Sequence, residues 1–155
     1  MSTDPNLRYQ SSKTYTHSVG LSCAFRQWRA QSHCRYIHGY ALKVEVVFEG
    51  DLDERNWVMD FGGLKPLKQH LEYMFDHTLV VAEDDPNIMQ FSYLSEAGLA
   101  DVRYLPDVGC EKFAEYIFHW CDSNYVRSPS QPNWPLVQSV QVWEHEGNSA
   151  KVIRK

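Results

Sequence analysis

Hydrophobic and polar positions alternate most cleanly between Ala41 and Glu49. Leu42, Val44, Val46 and Phe48 fall on one side, and Lys43, Glu45 and Glu49 on the other. A period of two predicts a half-buried strand. Tyr15, Val19 and Leu21 alternate more weakly and predict an earlier strand over Lys13–Phe25. Leu136–Trp143 predicts another, in which Val140, Val142 and Glu144 share a parity, so that a carboxylate follows two inward side chains. Val102–Leu105 reads as a short strand stopped by Pro106-Asp107-Val108-Gly109, and Lys151–Ile153 as a last one after a turn at Gly147-Asn148. The period changes at Leu64, Leu67, Leu71, Met74 and Phe75, which predict a helix ending near Asp76, with Pro66 early enough to be tolerated. Phe113, Ala114, Ile117 and Cys121 predict a second helix over Cys110–Cys121. Thr78–Ala82 is a short apolar stretch. Gln27–Tyr36, Glu83–Gly98 and Asn124–Pro135, the last holding Pro129, Pro132 and Pro135, read as loops. Residues 1–12 read as a flexible polar tail and 13–155 as one domain. Two helices with single apolar stripes predict an α+β fold, with both helices on one face of a mainly antiparallel sheet.

The chain has 155 residues, enough to bury a core without staples. Apolar residues make up 43% of it, which excludes disorder. A net charge of −5 argues against binding nucleic acid through bulk charge, yet leaves basic residues able to gather around an anionic ligand. No apolar run approaches the ~18 residues of a membrane span. The first residues lack the apolar segment of a secretory signal, so a cytoplasmic location is expected. Cys23, Cys34, Cys110 and Cys121 form no C-x-x-C pair and read as free thiols.

Polar chemistry concentrates just ahead of the cleanest strand. Between Leu21 and Phe48 stand Cys34, the imidazoles of His33 and His38, and Arg26, Arg29 and Arg35. Cys34 is either a general base or a buried thiol. The three arginines either grip an anionic group or sit on a solvated loop. Trp28 is either a pocket wall or a subunit contact.

Taken in order, several stretches resemble one family. They are Cys34-x-x-x-His38-Gly39, then Trp57-Val58-Met59-Asp60-Phe61 ahead of a Leu-Lys helix, then Asp76-His77-x-Leu79, then Glu111 opening a helix and Glu144 ending a strand. The family is that of 6-pyruvoyltetrahydropterin synthase and 6-carboxytetrahydropterin synthase, and the resemblance runs from about Val19 to Val152. It implies a tunnelling fold, a four-stranded antiparallel sheet with two helices on one side. Trimers would close these sheets into a barrel and pair into a hexamer, with the pterin pocket between subunits. It implies a lyase acting on 7,8-dihydroneopterin triphosphate, on a pterin route or on the route to 7-deazaguanine bases such as queuosine. Position by position, Cys34 is implied as the catalytic thiol, Asp76 and His77 as the pair handling a second proton, and Glu144 as the anchor of the pterin ring. Glu111 matches the acid of a helix-opening Pro-Thr-Ser-Glu motif, whose other places hold Val108, Gly109 and Cys110 here.

The resemblance also implies zinc, held by three histidines. The corresponding positions are Phe25, His38 and Tyr40, so His38 alone retains a ligand. A catalytic zinc normally takes three protein ligands. Cys23, His33 and His17 are the neighbours from which a set around His38 could be rebuilt; alternatively Tyr40 hydrogen-bonds where a metal would sit. Three functions follow: a synthase-type lyase, a pterin-binding protein whose lyase chemistry went with the ligands, or, third in order, an altered metal-independent reaction in the same pocket.

Overall fold

In the computed structural model, which describes residues 4–126 and 134–155, the sheet is built on one long strand, β3 (His38–Gly50). Its alternation buries Leu42, Val44, Val46 and Phe48 almost completely. One edge of β3 pairs antiparallel with β6 (Leu136–His145) from Lys43 to Glu49. The other edge is shared: β2 (Leu21–Phe25) takes His38–Leu42, and β1 (Tyr9–Tyr15) takes Val44–Gly50. β7 (Asn148–Ile153) folds back on β6. The strand predicted over Lys13–Phe25 is therefore two strands. A single 3-10 turn at His17–Val19, closed by Gly20 at φ 80, steps the chain from β1 to β2. Glycine adopts that left-handed conformation without a Cβ penalty. β1 starts at Tyr9, within the stretch whose composition reads as a tail. Pro129 and Pro132 of the predicted loop lie outside the described residues.

The sheet is not a four-stranded antiparallel one. Seven strands join it, and it is mixed: β4 (Thr78–Ala82) runs parallel to β2, and β5 (Val102–Leu105) parallel to β4. The reason lies in a third helix, α2 (Ile88–Glu96), inside the stretch predicted as loop. A strand–helix–strand crossover returns the chain in the same direction. Sequence periodicity could not expose this unit. β4 is buried on both faces, with Val80 and Ala82 in the main core and Leu79 and Val81 against Phe91 of α2, so it has no polar side to alternate. In α2 only Phe91 is fully buried.

The other two helices match their apolar stripes. α1 (Lys65–Phe75) buries Leu67, Leu71, Met74 and Phe75, and α3 (Cys110–Asn124) buries Phe113, Ala114, Ile117 and Cys121. Both join the core formed by the inner faces of β3 and β6. Phe75 and Phe113 meet at 5.1 Å between ring centroids. Among the described residues, no helix is long and apolar enough to cross a membrane.

Candidate active site

The register of β2 on β3 sets Phe25 opposite His38, and Cys23 opposite Tyr40. Alternation then brings Phe25, His38 and Tyr40 into one aromatic group, with ring centroids 6.3 Å (Phe25 to His38), 6.2 Å (Phe25 to Tyr40) and 5.4 Å (His38 to Tyr40) apart. The edge of Phe113 from α3 closes this group behind Phe25, at 5.0 Å. His38 Nδ1 lies 2.7 Å from the Tyr36 carbonyl oxygen, which can only accept, so Nδ1 carries the proton. In that tautomer Nε2 is an acceptor, and it shares the single Tyr40 O–H, 3.1 Å away, with the Glu144 carboxylate, which also hydrogen-bonds the phenol.

Tyr40 connects this group to the end of β6. Burial and then the Glu144 carboxylate push its phenol above the ordinary value; Cys34 and Cys110 act in the same direction, more weakly. Glu144 is half-buried and lies one residue beyond the last β3–β6 pair, Lys43 with Trp143. The β6–β7 register slips at that residue, between Trp143 and His145. Such a slip re-aims a side chain at the end of a ladder. Cys110, the first residue of α3, is buried, and burial, Glu144 and Glu111 push its thiol up to about 12. Burial likewise pushes Cys23 up to about 12. Both are therefore neutral thiols near pH 7. Of the four cysteines only Cys34 is partly exposed. Tyr40, Cys110 and Glu144 thus form one neighbourhood, which Cys34 adjoins through Tyr40 and Glu111 through Cys110.

Cys34 stands in a 3-10 turn, His33–Arg35, started by Ser32, whose side chain accepts the Cys34 N–H. The loop bearing it is tied at its base. Gln27 N–H donates to the Cys34 carbonyl at 2.9 Å, and the Gln27 side-chain amide donates to the Val108 carbonyl at 3.0 Å. That amide fills the space that a Cβ on Gly109 would need. Arg26 forks onto Asp85 at 2.6 and 2.8 Å and also reaches Asn87 at 2.9 Å. Arg29 pairs with Asp84, which also accepts from Trp28 Nε1 at 3.1 Å. Arg26, Trp28 and Arg29 are therefore tethers of the loop to the turn after β4. Only Arg35 of the three arginines has no carboxylate partner among the described residues; it lies over the Tyr36 ring.

Asp76 and His77 are joined at 2.5 Å between Oδ1 and Nδ1, but they stand elsewhere. They precede β4, whose Thr78 pairs with Cys23, so His77 lies about three residues, or ~10 Å, down the sheet from the Phe25 end. The His77 side chain is 84% exposed. Its φ of 57 is unusual for a non-glycine residue. Such strain is concentrated at functional positions.

Comparison with known proteins gives these residues a context. A family model described as 6-pyruvoyl tetrahydropterin synthase matches residues 14–155. The chain belongs to the 6-pyruvoyl tetrahydropterin synthase family. Proteins of Pyrococcus abyssi and Archaeoglobus fulgidus, each named "Putative 6-carboxy-5,6,7,8-tetrahydropterin synthase", are similar to it. The first is 36% identical over 84% of this chain and 83% of its own; the second is 31% identical over 63% and 92%. An uncharacterized protein of Wolinella succinogenes shares the fold with a TM-score of 0.82 at 20% identity, over 97% of this chain and all of its own. The 6-pyruvoyl tetrahydropterin synthase of Plasmodium falciparum does so at 0.63 and 16%, over 96% and 99%. Membership in this family points to lyase-type chemistry on a pterin.

The zinc that the family resemblance implies does not fit the side chains present. Phe25 offers no donor, and the acceptor nitrogen of His38 is already met by Tyr40. The neighbours that could have rebuilt a set do not gather around His38. His17 meets the Ala41 carbonyl with Nδ1 and Glu146 with Nε2, and Cys23 turns its thiol to Thr78 and the Ala24 carbonyl. His33 is exposed. Among the described residues, no three His, Cys, Asp or Glu side chains stand together as a metal requires. Sequence reading passed over Gln27 altogether. A glycine opening α3 in place of a capping side chain was the available sign that something else occupies that space.

Proposed function

We propose that this chain is a cytoplasmic 6-carboxy/6-pyruvoyl tetrahydropterin synthase-type lyase acting on 7,8-dihydroneopterin triphosphate, on a pterin or 7-deazaguanine route. The observation that carries the reading is the gathering of Cys34, Cys110 and Glu144 about Tyr40, with Glu111 beside Cys110. Glu144 has no cationic partner among the described residues, and a half-buried carboxylate of that kind is suited to accept the N–H donors of a pterin edge. Glu111, in the first turn of α3, adjoins the same group through Cys110. In this reading Cys34 Sγ removes a proton from the substrate side chain, and His77, oriented by Asp76, moves a second one. The distance of His77 from Cys34 within one chain is accounted for by a homo-oligomer, a trimer or hexamer, in which His77 of one copy meets Cys34 of another. The outer edges of β1 and β7, unpaired among the described residues, support such an assembly. Arg35 is the cation of the loop left to meet the triphosphate.

The test is turnover of 7,8-dihydroneopterin triphosphate. Cys34→Ala is expected to lower kcat by about 100-fold or more and to leave substrate binding in place. Glu144→Ala is expected to weaken binding by about tenfold or more, the loss of a charge-assisted hydrogen bond. Unchanged turnover in Cys34→Ala would remove the thiol from the mechanism. One observation favours a second reading, a pterin-binding protein without turnover: two of the three family metal positions hold Phe25 and Tyr40. Glu144-dependent pterin binding with no product would establish it.

A further inference from the structure

Both ring nitrogens of His38 are engaged. Nδ1 donates to the Tyr36 carbonyl, and Nε2, the nitrogen a metal would take, lies 3.1 Å from the Tyr40 hydroxyl, whose proton it shares with the Glu144 carboxylate. Opposite His38 in the β2–β3 register stands Phe25, 3% exposed, with its ring against Tyr40 on one side and Phe113 on the other. The space beside His38 is therefore lined by rings, and the available lone pair faces a hydroxyl. A hydroxyl that donates to an imidazole keeps its own lone pairs free to accept from another hydroxyl.

We propose that this site works without a metal ion, the hydrogen-bonded His38–Tyr40 pair standing in its place and meeting the hydroxyl groups of the substrate side chain through the Tyr40 oxygen. Recognition of those hydroxyls is then by hydrogen bonding instead of ligation. Burial and the Glu144 carboxylate, which accepts from the phenol, keep Tyr40 protonated, in agreement with an oxygen whose lone pairs accept from a substrate hydroxyl. The hydroxyl half of the proposal rests on the pterin reading above; the metal-free half does not.

Elemental analysis and zinc titration of the untagged protein, grown with added zinc and dialysed against a weak chelator, test the metal-free half. The wild-type protein is expected to retain well under ~0.1 zinc per chain, and Phe25→His/Tyr40→His, with three histidines, about one. In competition titrations the variant is expected to hold zinc at least ~100-fold more tightly. Saturation of the wild-type protein at about one zinc per chain in micromolar zinc overturns the proposal, whether or not the double variant folds. Calorimetry with 7,8-dihydroneopterin tests the other half. Tyr40→Phe is expected to bind about tenfold more weakly, and a strong chelator to leave wild-type affinity unchanged. Equal affinity in Tyr40→Phe overturns the role of the hydroxyl. Wild-type protein that takes neither zinc nor pterin overturns the pterin reading and leaves the metal-free site standing.

Discussion

Gly109→Ala is the most informative single change, because two separate penalties act on one atom. Gly109 has φ 112 and ψ 164, a region that is almost exclusive to glycine, and forcing another residue there costs about 1–3 kcal/mol. The added Cβ would also sit on Gln27 Nε2, well inside contact distance. Gln27 must then withdraw and give up its bond to the Val108 carbonyl, a further ~0.5–1.5 kcal/mol. The sum is roughly 2–4 kcal/mol, a large fraction of the stability of an ordinary domain. Urea unfolding followed by far-UV circular dichroism reads this as a fall in midpoint. The two penalties separate in a double-mutant cycle. With Gln27→Ala in the background the steric part disappears, and Gly109→Ala should lose about 1 kcal/mol of its effect, backbone strain remaining. Because Gln27 also holds the Cys34 carbonyl, Gly109→Ala should speed reaction of Cys34 with a thiol reagent. A Gly109→Ala protein within ~0.5 kcal/mol of wild type, or an effect that ignores Gln27, would refute the reasoning.

Three further outcomes are expected. Asp85→Asn removes the buried partner of Arg26; a broken buried pair costs about 3–5 kcal/mol, and with Arg26 still partly in solvent about 2 kcal/mol is expected in denaturant unfolding. His70, stacked on Trp120 and hydrogen-bonded to Tyr116, has its pKa lowered by burial, so the unfolded chain binds the proton more readily. Stability should therefore fall as pH drops through the ordinary histidine value, about 6.5, and thermal melts of His70→Phe should show a flatter pH dependence there. His77→Gly relieves a left-handed backbone worth about 1 kcal/mol while deleting the imidazole; melts should show equal or higher stability, and turnover assays a large loss.

What the sequence made legible follows from which segments have a polar side. β3, α1 and α3 each bury one face and expose the other, so their periods of two and of about 3.6 were readable, down to Leu42, Val44, Val46 and Phe48. β4 was illegible as a sheet member because both faces are covered, and α2 because it contributes one fully buried side chain, Phe91. With those two missing, the parallel half of the sheet could not be anticipated. Motif order singled out Cys34, Glu111 and Glu144 in distant stretches, and parity set Glu144 beyond Val140 and Val142 on β6. The hydrogen-bond state of His38 was not legible, because it depends on a carbonyl two residues back and a hydroxyl two residues on. Nor were the tethers Arg26–Asp85 and Arg29–Asp84, pairs joined across more than fifty residues of chain.

The divided edge of β3 gives one strand two mechanical characters. From Val44 to Glu49 it is hydrogen-bonded on both sides, to β1 and to β6. From His38 to Leu42 it is held on one side only, by β2. Amide exchange should accordingly be slow along the first of these spans and faster along the second, since local opening needs the release of one neighbour instead of two. His38 and Tyr40 belong to the compliant span, which is anchored in register by the clamped one. His38 and Tyr40, the pair of the proposed site, thus stand on a stretch that can yield locally while its register, and so the set of residues on each face, is kept by the clamped stretch.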